Sequence, residues 1–129
     1  MSFETDLPTR LEQDGAITAF VGQRVYWGIR PQTSALPAIV MNLVVGQREQ
    51  HLGGAMGTQG NQVQFDCMAK TNEDAVALRN AVIAVIETTG TTGTTEFQGG
   101  NVDLYRGIVE DTAAGIVRTE QVRATIWFN

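Results

Sequence analysis

The chain has little of the chemistry that marks export, membranes or disulfides. It contains one cysteine, Cys67, so no internal disulfide is possible, which fits a reducing compartment. No apolar run approaches the roughly 18 residues that a membrane-spanning helix needs. The opening MSFETDLPTR is acidic and lacks the apolar segment of an export signal. We therefore expect residues 1–129 to form a single domain that does not associate with a membrane.

Positive charge is also scarce. Nine basic residues face 14 carboxylates, and the formal net charge is −5. All of the basic residues except Lys70 are arginine, which is suited to bidentate contacts with carboxylates at subunit interfaces. Because affinity for phosphates comes mainly from basic groups, this balance disfavours a nucleic-acid clamp and suits a surface that must not adhere to DNA.

The residues that catalysis or metal binding would need do not form a recognisable set. His51 is the only histidine, and no Gly-Lys-Ser/Thr motif is present. A Cys67–His51 pair is conceivable, but Cys67 falls on the inward face of its strand, where cysteine usually serves as a small hydrophobe. Asp103, Glu110 and Asp111 could gather a divalent cation, although such clusters are more often solvated surface. We predict no enzymatic activity, no cofactor and no metal.

The N-terminal stretch, residues 2–15, has the periodicity of a helix, because apolar side chains recur every fourth residue. Pro8 is difficult to place in it. Either the helix begins near Leu7, with the proline in its first turn, or the helix is kinked there. Gly15 is predicted to end the helix, and a short apolar turn is predicted to follow it over residues 17–21.

A clearer helix is predicted from Thr71 to about Glu87. Thr71 can cap its first turn, with Asp74 three residues on in a weak version of the capping box. One side of this helix is apolar, with Leu78, Val82, Val85 and Ile86.

The remaining regular structure is predicted to be β. Residues 38–45 are apolar on nearly both faces, which indicates a strand that is covered on both. Residues 62–69 alternate like a half-buried strand and should pair antiparallel with the first, through a long polar, glycine-rich loop over 46–60. Three further strands are predicted: one from Thr94, one over 102–108 and one over 117–128. The expected fold is α+β, an antiparallel sheet with helices packed on one face.

Several phrases of the sequence resemble a known family. They are SFETDLPTRL with its downstream AITAFVG, then RVYWGIRPQTSALPAIVMNLVVGQREQHLGG, VQFDCMAKTNEDAVALRNAVIAVI and the terminal VRATIWF. Together they resemble the tail completion proteins of long-tailed phages and gene transfer agents, which are related in role and fold to the lambda-type tail terminator. The resemblance spans essentially the whole chain. Pro8 and Met68 depart from the family pattern.

The resemblance implies a structural protein of an α+β sandwich fold. Members form a homo-oligomeric ring, usually a hexamer, on the last ring of tail tube protein. The ring ends tube polymerisation and presents the surface that meets the head–tail connector or stopper protein. DNA passes through such a ring without specific binding. The implied location is the neck region of the tail of a virion, assembled in the bacterial host cytoplasm.

Two sets of residues follow as hypotheses. The glycines of the long loop should keep it mobile until it docks on the tail tube, so that its residues contact a partner. The predicted partner-binding residues, with two candidate aromatic anchors, are Arg48, Glu49, His51, Gly53, Gly54, Met56, Trp27 and Trp127. Acidic residues lining the hole of the ring would repel DNA phosphates. The candidates are Glu96, Asp103, Glu110 and Asp111.

Other functions stay open at this point. The chain could be a neck adaptor that binds the portal side and not the tube. A small enzyme or ligand-binding α+β domain would need a concave pocket with convergent polar groups, for which the sequence offers few candidates. The long loop could also be no more than an enlarged surface hairpin.

Overall fold

A computed structural model describes residues 3–30, 35–51, 54–112 and 115–129. The side chains of residues 45–58 and of Thr112 lie outside the description. The elements in chain order are α1 (Phe3–Glu12), α2 (Gly15–Val21), β1 (Val25–Trp27), β2 (Ala38–His51), β3 (Gly54–Ala69), α3 (Asn72–Ile86), β4 (Gly90–Thr92), β5 (Thr95–Thr112) and β6 (Gly115–Phe128). None of the helices in these ranges is long and apolar enough to cross a bilayer.

Six strands form one sheet in the order β1-β2-β3-β6-β5-β4. Every neighbouring pair is antiparallel except β1 and β2. Alternate residues of the strands point to one face, here called the inner face, and pack against the helices as the hydrophobic core. The buried strand residues of this face include Ile39, Met41, Val63, Phe65, Cys67, Phe97, Val122, Ala124, Ile126 and Phe128. The predicted α+β fold is confirmed.

Helix α3 forms where the sequence predicts it. The Thr71 side chain accepts a hydrogen bond from the Asp74 N–H, which satisfies one of the donors that the first turn leaves unpaired. Leu78 and Val82 are fully buried against the sheet. On the flank of the helix, Arg79 Nη1 lies 2.6 Å from Glu120 Oε1, and its guanidinium lies over the ring of Tyr105.

Helix α1 contains Pro8 in its middle, so it does not begin near Leu7, and the alternative of a kink at Pro8 stays a prediction. A proline lacks the N–H that would bond the carbonyl four residues earlier. That carbonyl belongs to Glu4, and it accepts a hydrogen bond of 2.7 Å from the indole Nε1 of Trp27 instead. A tertiary donor therefore replaces the missing backbone donor and attaches α1 to β1.

The connection after α1 also differs from the prediction. Helix α1 ends at Glu12, and Gly15 begins a second helix where a turn was predicted. The reason is Asp14, whose carboxylate accepts hydrogen bonds from the N–H groups of Ala16 and Ile17 and so caps α2.

A buried carboxylate joins α1 to the other end of the sheet. Asp6 is fully buried, and its Oδ2 accepts a hydrogen bond of 2.5 Å from Thr95 Oγ1. Its carboxylate lies against Gly93, which has a φ of 60° in the turn between β4 and β5. A side chain at Gly93 would therefore meet both backbone strain and the Asp6 carboxylate.

Two predictions about the strands are wrong. The segment 46–60 is not a long loop, because β2 continues to His51 and β3 begins at Gly54. The two strands predicted from Thr94 to residue 108 are one strand, β5, which the short β4 precedes. Two register shifts, at Phe97/Gly99 and Val102/Leu104, break the alternation of β5 and explain why its sequence suggested two strands.

Candidate assembly surfaces

The first candidate surface is a two-stranded arm formed by β2 and β3. Strand β6 pairs with β3 only from Gln59 onward, so the described residues 49–51 and 54–58 extend beyond β6. The segment 49–58 is called the β2–β3 arm. The backbone register places His51 opposite Gly54. The arm carries the predicted contact residues Glu49, His51, Gly54 and Met56, with Arg48 at its base. Gly53 lies outside the described residues.

A second arm projects from the opposite end of the sheet. The pairing of β3 with β6 stops at Ala69 and Arg118, while β5 and β6 remain paired to Thr112 and Gly115. The described residues 110–112 and 115–117 therefore extend past β3, and the segment 110–117 is called the β5–β6 arm. Two of the predicted pore residues, Glu110 and Asp111, lie on it.

At each side of the sheet, a short outermost strand covers only part of the longer strand next to it. The short β1 pairs with β2 at Ile39–Met41, and the short β4 pairs with β5 at Thr95–Phe97. Within the described ranges, no strand pairs with the rest of either outer edge. Long uncovered edges present unpaired N–H and C=O groups to any strand that meets them, so they favour association.

Exposed apolar side chains concentrate on the same strands. Seven large apolar side chains of the described part are exposed, and all except Ile29 lie on β2, β5 or the start of β6. They are Leu43, Val44, Leu104, Tyr105, Val109 and Ile116. Such clustering is typical of protein interaction sites. Residue-by-residue sequence reading missed these positions, although the run VDLYRGIV, which is apolar at both strand parities, was the available signal.

The face of the sheet that points away from the helices, here called the outer face, is polar and internally hydrogen-bonded. Asp103 Oδ2 accepts bonds from Gln62 Nε2 at 3.1 Å and from Thr125 Oγ1 at 2.8 Å. The bulge at Val102/Leu104 lets the Asp103 side chain reach β3 and β6 across this face. One predicted pore residue is therefore held in place and is not a freely rotating surface acid.

A second set of contacts spans the outer face beside the first. Arg123 Nη2 donates to Gln64 Oε1 at 3.0 Å, and Gln64 Nε2 donates to Asp66 Oδ1 at 3.2 Å. Arg106 Nε donates to Gln121 Oε1 at 2.9 Å. Burial raises the pKa of Asp66, a change that the hydrogen bond from Gln64 partly opposes. The outer face is thus an ordered polar surface with side chains already fixed.

The two tryptophans have different surroundings. Trp27 packs against the core and donates to Glu4, so its first role is structural. Trp127 lies on the outer face and covers Gly60, where an added Cβ would stand 2.5 Å from the indole ring. Both side chains are partly buried. Contact with a partner stays a prediction for each of them.

The four predicted pore residues all belong to β5 but do not share one face. Opposite residues of paired strands share a face, and the register therefore places Glu96, Asp103 and Glu110 on the outer face and Asp111 on the inner side. Asp103 and Glu110 are seven residues apart on β5, which is about 20 Å in a strand, and Asp111 lies on the other side. These three carboxylates do not converge on one cation, so that alternative is wrong.

The conceivable Cys67–His51 pair is excluded by the register of β2. Cys67 lies opposite Ile39, and His51 is twelve residues further along β2, which is about 40 Å in an extended strand. Cys67 is fully buried, and burial raises the pKa of its thiol, which keeps it protonated. The cysteine is a core residue.

This fold, with its two arms and two partly covered edges, is similar to that of a virion structural protein. A chain of the solved "Virion of native gene transfer agent (GTA) particle" matches with a TM-score of 0.56 and 15% sequence identity. The match covers 99% of this chain and 96% of that chain.

The family model described as "Tail completion protein gp17" matches residues 5–113, and the chain belongs to this family. No curated protein matches the chain. The family resemblance seen in the sequence is confirmed, and with it the predictions of a structural, non-enzymatic protein and of a place in a virion tail.

Proposed function

We propose that the chain forms a closed ring of six copies at the head-proximal end of the tail tube. There it ends tube polymerisation and presents the surface that joins the tail to the head. The observation that carries this proposal is the pair of unlike, apolar, uncovered edges, β2 on one side of the sheet and β5 on the other.

Unlike edges on opposite sides of a subunit are what a ring requires. Head-to-tail contacts use two different surfaces of each copy, and they close into a ring when the rotation between copies divides a full turn. A two-fold dimer would use one surface twice and would leave the other edge exposed. The exposed Leu43 and Val44 on β2 and Leu104, Tyr105 and Val109 on β5 give each contact an apolar part.

The two arms supply the contacts along the tail axis. A terminator meets two different partners, the tube on one side and the connector or stopper on the other. The β2–β3 arm and the β5–β6 arm project from opposite ends of the sheet. The β2–β3 arm docks on the tail tube, with Arg48 and Glu49 making polar contacts, and the ring multiplies six weak contacts into a firm one. If the arm were only an enlarged surface hairpin, it would not contact the tail tube.

The outer face provides a lining for the hole of the ring. Its charged side chains on β3, β5 and β6 are Asp66, Glu96, Asp103, Glu110, Arg106 and Arg123. Carboxylates outnumber guanidinium groups there, and both arginines are hydrogen-bonded to glutamines. A surface with this excess of negative charge repels phosphates, so DNA slides through without binding.

Electron microscopy of tails made with and without the protein tests the proposal. We expect tubes of uncontrolled length when the protein is absent and tubes of uniform length when it is restored. Tubes of correct length that fail to join heads would contradict termination and would favour a neck adaptor. The same images of restored tails should show added density at the head-proximal end.

A further inference from the structure

The uncovered edge of β5 is regular enough to accept another strand. From Leu104 to Thr112 its register with β6 is continuous, with no bulge. Backbone groups of a strand point alternately to its two sides. Glu96 and Asn129 exchange both of their backbone hydrogen bonds across β5 and β6, and the register places Thr112 opposite Gly115. The alternation then directs the N–H and C=O groups of Tyr105, Gly107, Val109 and Asp111 outward.

The uncovered edge of β2 is the counterpart. The Ile39 N–H bonds the Arg24 carbonyl and the Met41 carbonyl accepts from Gly28, so β1 satisfies the outward groups up to Met41. Beyond that point, no described strand pairs with this edge of β2. With the register shift between Leu43 and Val45, the outward groups continue at Gly46 and Arg48.

We propose that the β5 edge of one copy pairs antiparallel with the β2 edge of the next copy, so that the sheet continues from subunit to subunit. Strand direction supports this pairing. Within one copy β2, β3, β6 and β5 alternate in direction, so β5 runs opposite to β2. Rotation about an axis that runs roughly along the strands keeps the sense of each strand along that axis, also when the strands are tilted. The β5 edge therefore meets an antiparallel β2 edge in the next copy, and the alternation is unbroken.

The two short strands determine how the edges meet. Strand β4 covers the beginning of β5, while β1 covers the beginning of β2, and these lie at opposite ends of the sheet. Direct pairing of the uncovered parts therefore requires neighbouring copies to be staggered along the strands. Stagger of this kind, with tilted strands, is what closure of a sheet into a cylinder requires.

The sequences of the two edges match in this orientation. Antiparallel pairing places Leu43 and Val44 of one copy alongside the half of β5 that carries Val109 of the other. Apolar residues thus meet apolar residues. This pairing adds a specific contact to the proposed ring. Only closure of the ring rests on the proposed function, because two copies are enough to form the pairing.

Disulfide trapping between two variants tests the pairing and its direction. Purified chain with Tyr105→Cys or Val109→Cys on β5 is mixed at millimolar concentration with chain carrying a single added cysteine on β2, scanned over residues 43–50. We expect the preferred β2 partner of Tyr105→Cys to lie later in the chain than that of Val109→Cys, by four residues, or by five where the pairing spans the extra residue at Val44. The unsubstituted chain is the control, because buried Cys67 should give no cross-link.

A proline variant separates backbone pairing from side-chain packing. Val109→Pro removes an outward N–H and is tolerated by an edge strand, whereas Val109→Ala removes the apolar side chain and keeps the N–H. By analytical ultracentrifugation we expect self-association to fall about tenfold or more for Val109→Pro and clearly less for Val109→Ala. Circular dichroism checks that both variants remain folded.

Several results would overturn the inference. They are equal losses in the two Val109 variants, cross-links in the opposite order or without preference, and a chain that stays monomeric at millimolar concentration. These experiments use purified protein, whereas the proposed termination is measured on tail length. Failure of edge pairing with normal control of tail length would reject the contact alone, and the reverse result would reject termination alone.

Discussion

At the scale of single residues, Pro8 and Trp27 work together. The proline leaves the Glu4 carbonyl without its helical donor, and the Trp27 indole supplies one at 2.7 Å. We predict that Trp27→Phe costs about 1 kcal/mol of unfolding free energy through this bond, in addition to lost packing. The cost should be smaller in a Pro8→Ala background, because the introduced alanine has a backbone N–H that can bond the Glu4 carbonyl itself.

A double-mutant cycle by chemical denaturation measures this coupling. The four proteins are the unsubstituted chain, the two single variants and the double variant. An identical cost of Trp27→Phe in both backgrounds would show that the indole bond does not compensate for the proline.

Gly60 is a second position where one neighbouring side chain, that of Trp127, determines which residues are tolerated. An added Cβ would come within 2.5 to 2.9 Å of three ring carbons of Trp127. We predict that Gly60→Ala lowers the unfolding free energy by about 1 to 3 kcal/mol, because the indole must move or the strand must shift. Thermal denaturation followed by circular dichroism measures the change.

The matched control for Gly60 is Gly90→Ala, at a strand position where the nearest atom to an added Cβ is Arg10 Nη2 at 3.8 Å. It should be close to neutral. If both alanine variants lose the same stability, the contact with Trp127 is not the cause.

At the scale of elements, the β2–β3 arm extends beyond β6. Strand β6 pairs with β3 only from Gln59 onward, so replacement of the arm removes no backbone pairing with β6. We predict that a short glycine-containing loop in place of residues 49–58 leaves the melting temperature nearly unchanged and abolishes control of tail length. Tail-length distributions by electron microscopy and thermal denaturation provide the two measurements.

A variant that keeps the length of the arm but scrambles its sequence serves as the control for arm length. It should also fail if specific side chains dock on the tube. Tails of normal length from the shortened protein would show that the arm is not needed for control of tail length.

The elements also show what local sequence could predict. Helix α3 was predictable, because a threonine cap and an apolar stripe agree with each other and with the fold. The extension of β2 to His51 was not, because glycines and polar residues over 46–60 favour a loop locally and only pairing with β3 makes them strand. The continuation of α1 through Pro8 was not predictable either, because the Trp27 indole that bonds the Glu4 carbonyl is brought close only by tertiary structure.

At the scale of the whole molecule, the acids of β5 can be tested against one another. Glu96 and Glu110 lie on the outer face, and Asp111 lies on the opposite side of the same strand. If the outer face lines the hole, Glu96→Lys with Glu110→Lys should slow or stall DNA delivery by assembled particles, because lysines attract phosphates. Asp111→Lys is the control, and particles of this variant that have tails of normal length joined to heads should deliver DNA normally.

Raised salt during delivery should partly relieve the stalled variant, because exposed charges are screened. Normal delivery by the outer-face variant, or equal stalling by both variants, would reject the proposed lining.

Family membership and fold class were predictable at this scale, because they depend on the order of elements along the whole chain. The assembly surfaces were predicted less well. The sequence suggested a loop and scattered acids, whereas the structure places exposed apolar side chains on two sheet edges. Which strands lie at the edges depends on strand order, and strand order is set by pairing between distant segments that local patterns do not encode.

We propose that copies of this chain meet edge to edge around a closed circle at the end of the tail. A three-dimensional reconstruction of the head-proximal tail end by electron cryomicroscopy would show this contact. We expect a ring of six copies in which β5 of each subunit adjoins β2 of the next. A single copy, or a ring whose subunits touch through α1, α2 and α3 while both edges face solvent, would contradict it.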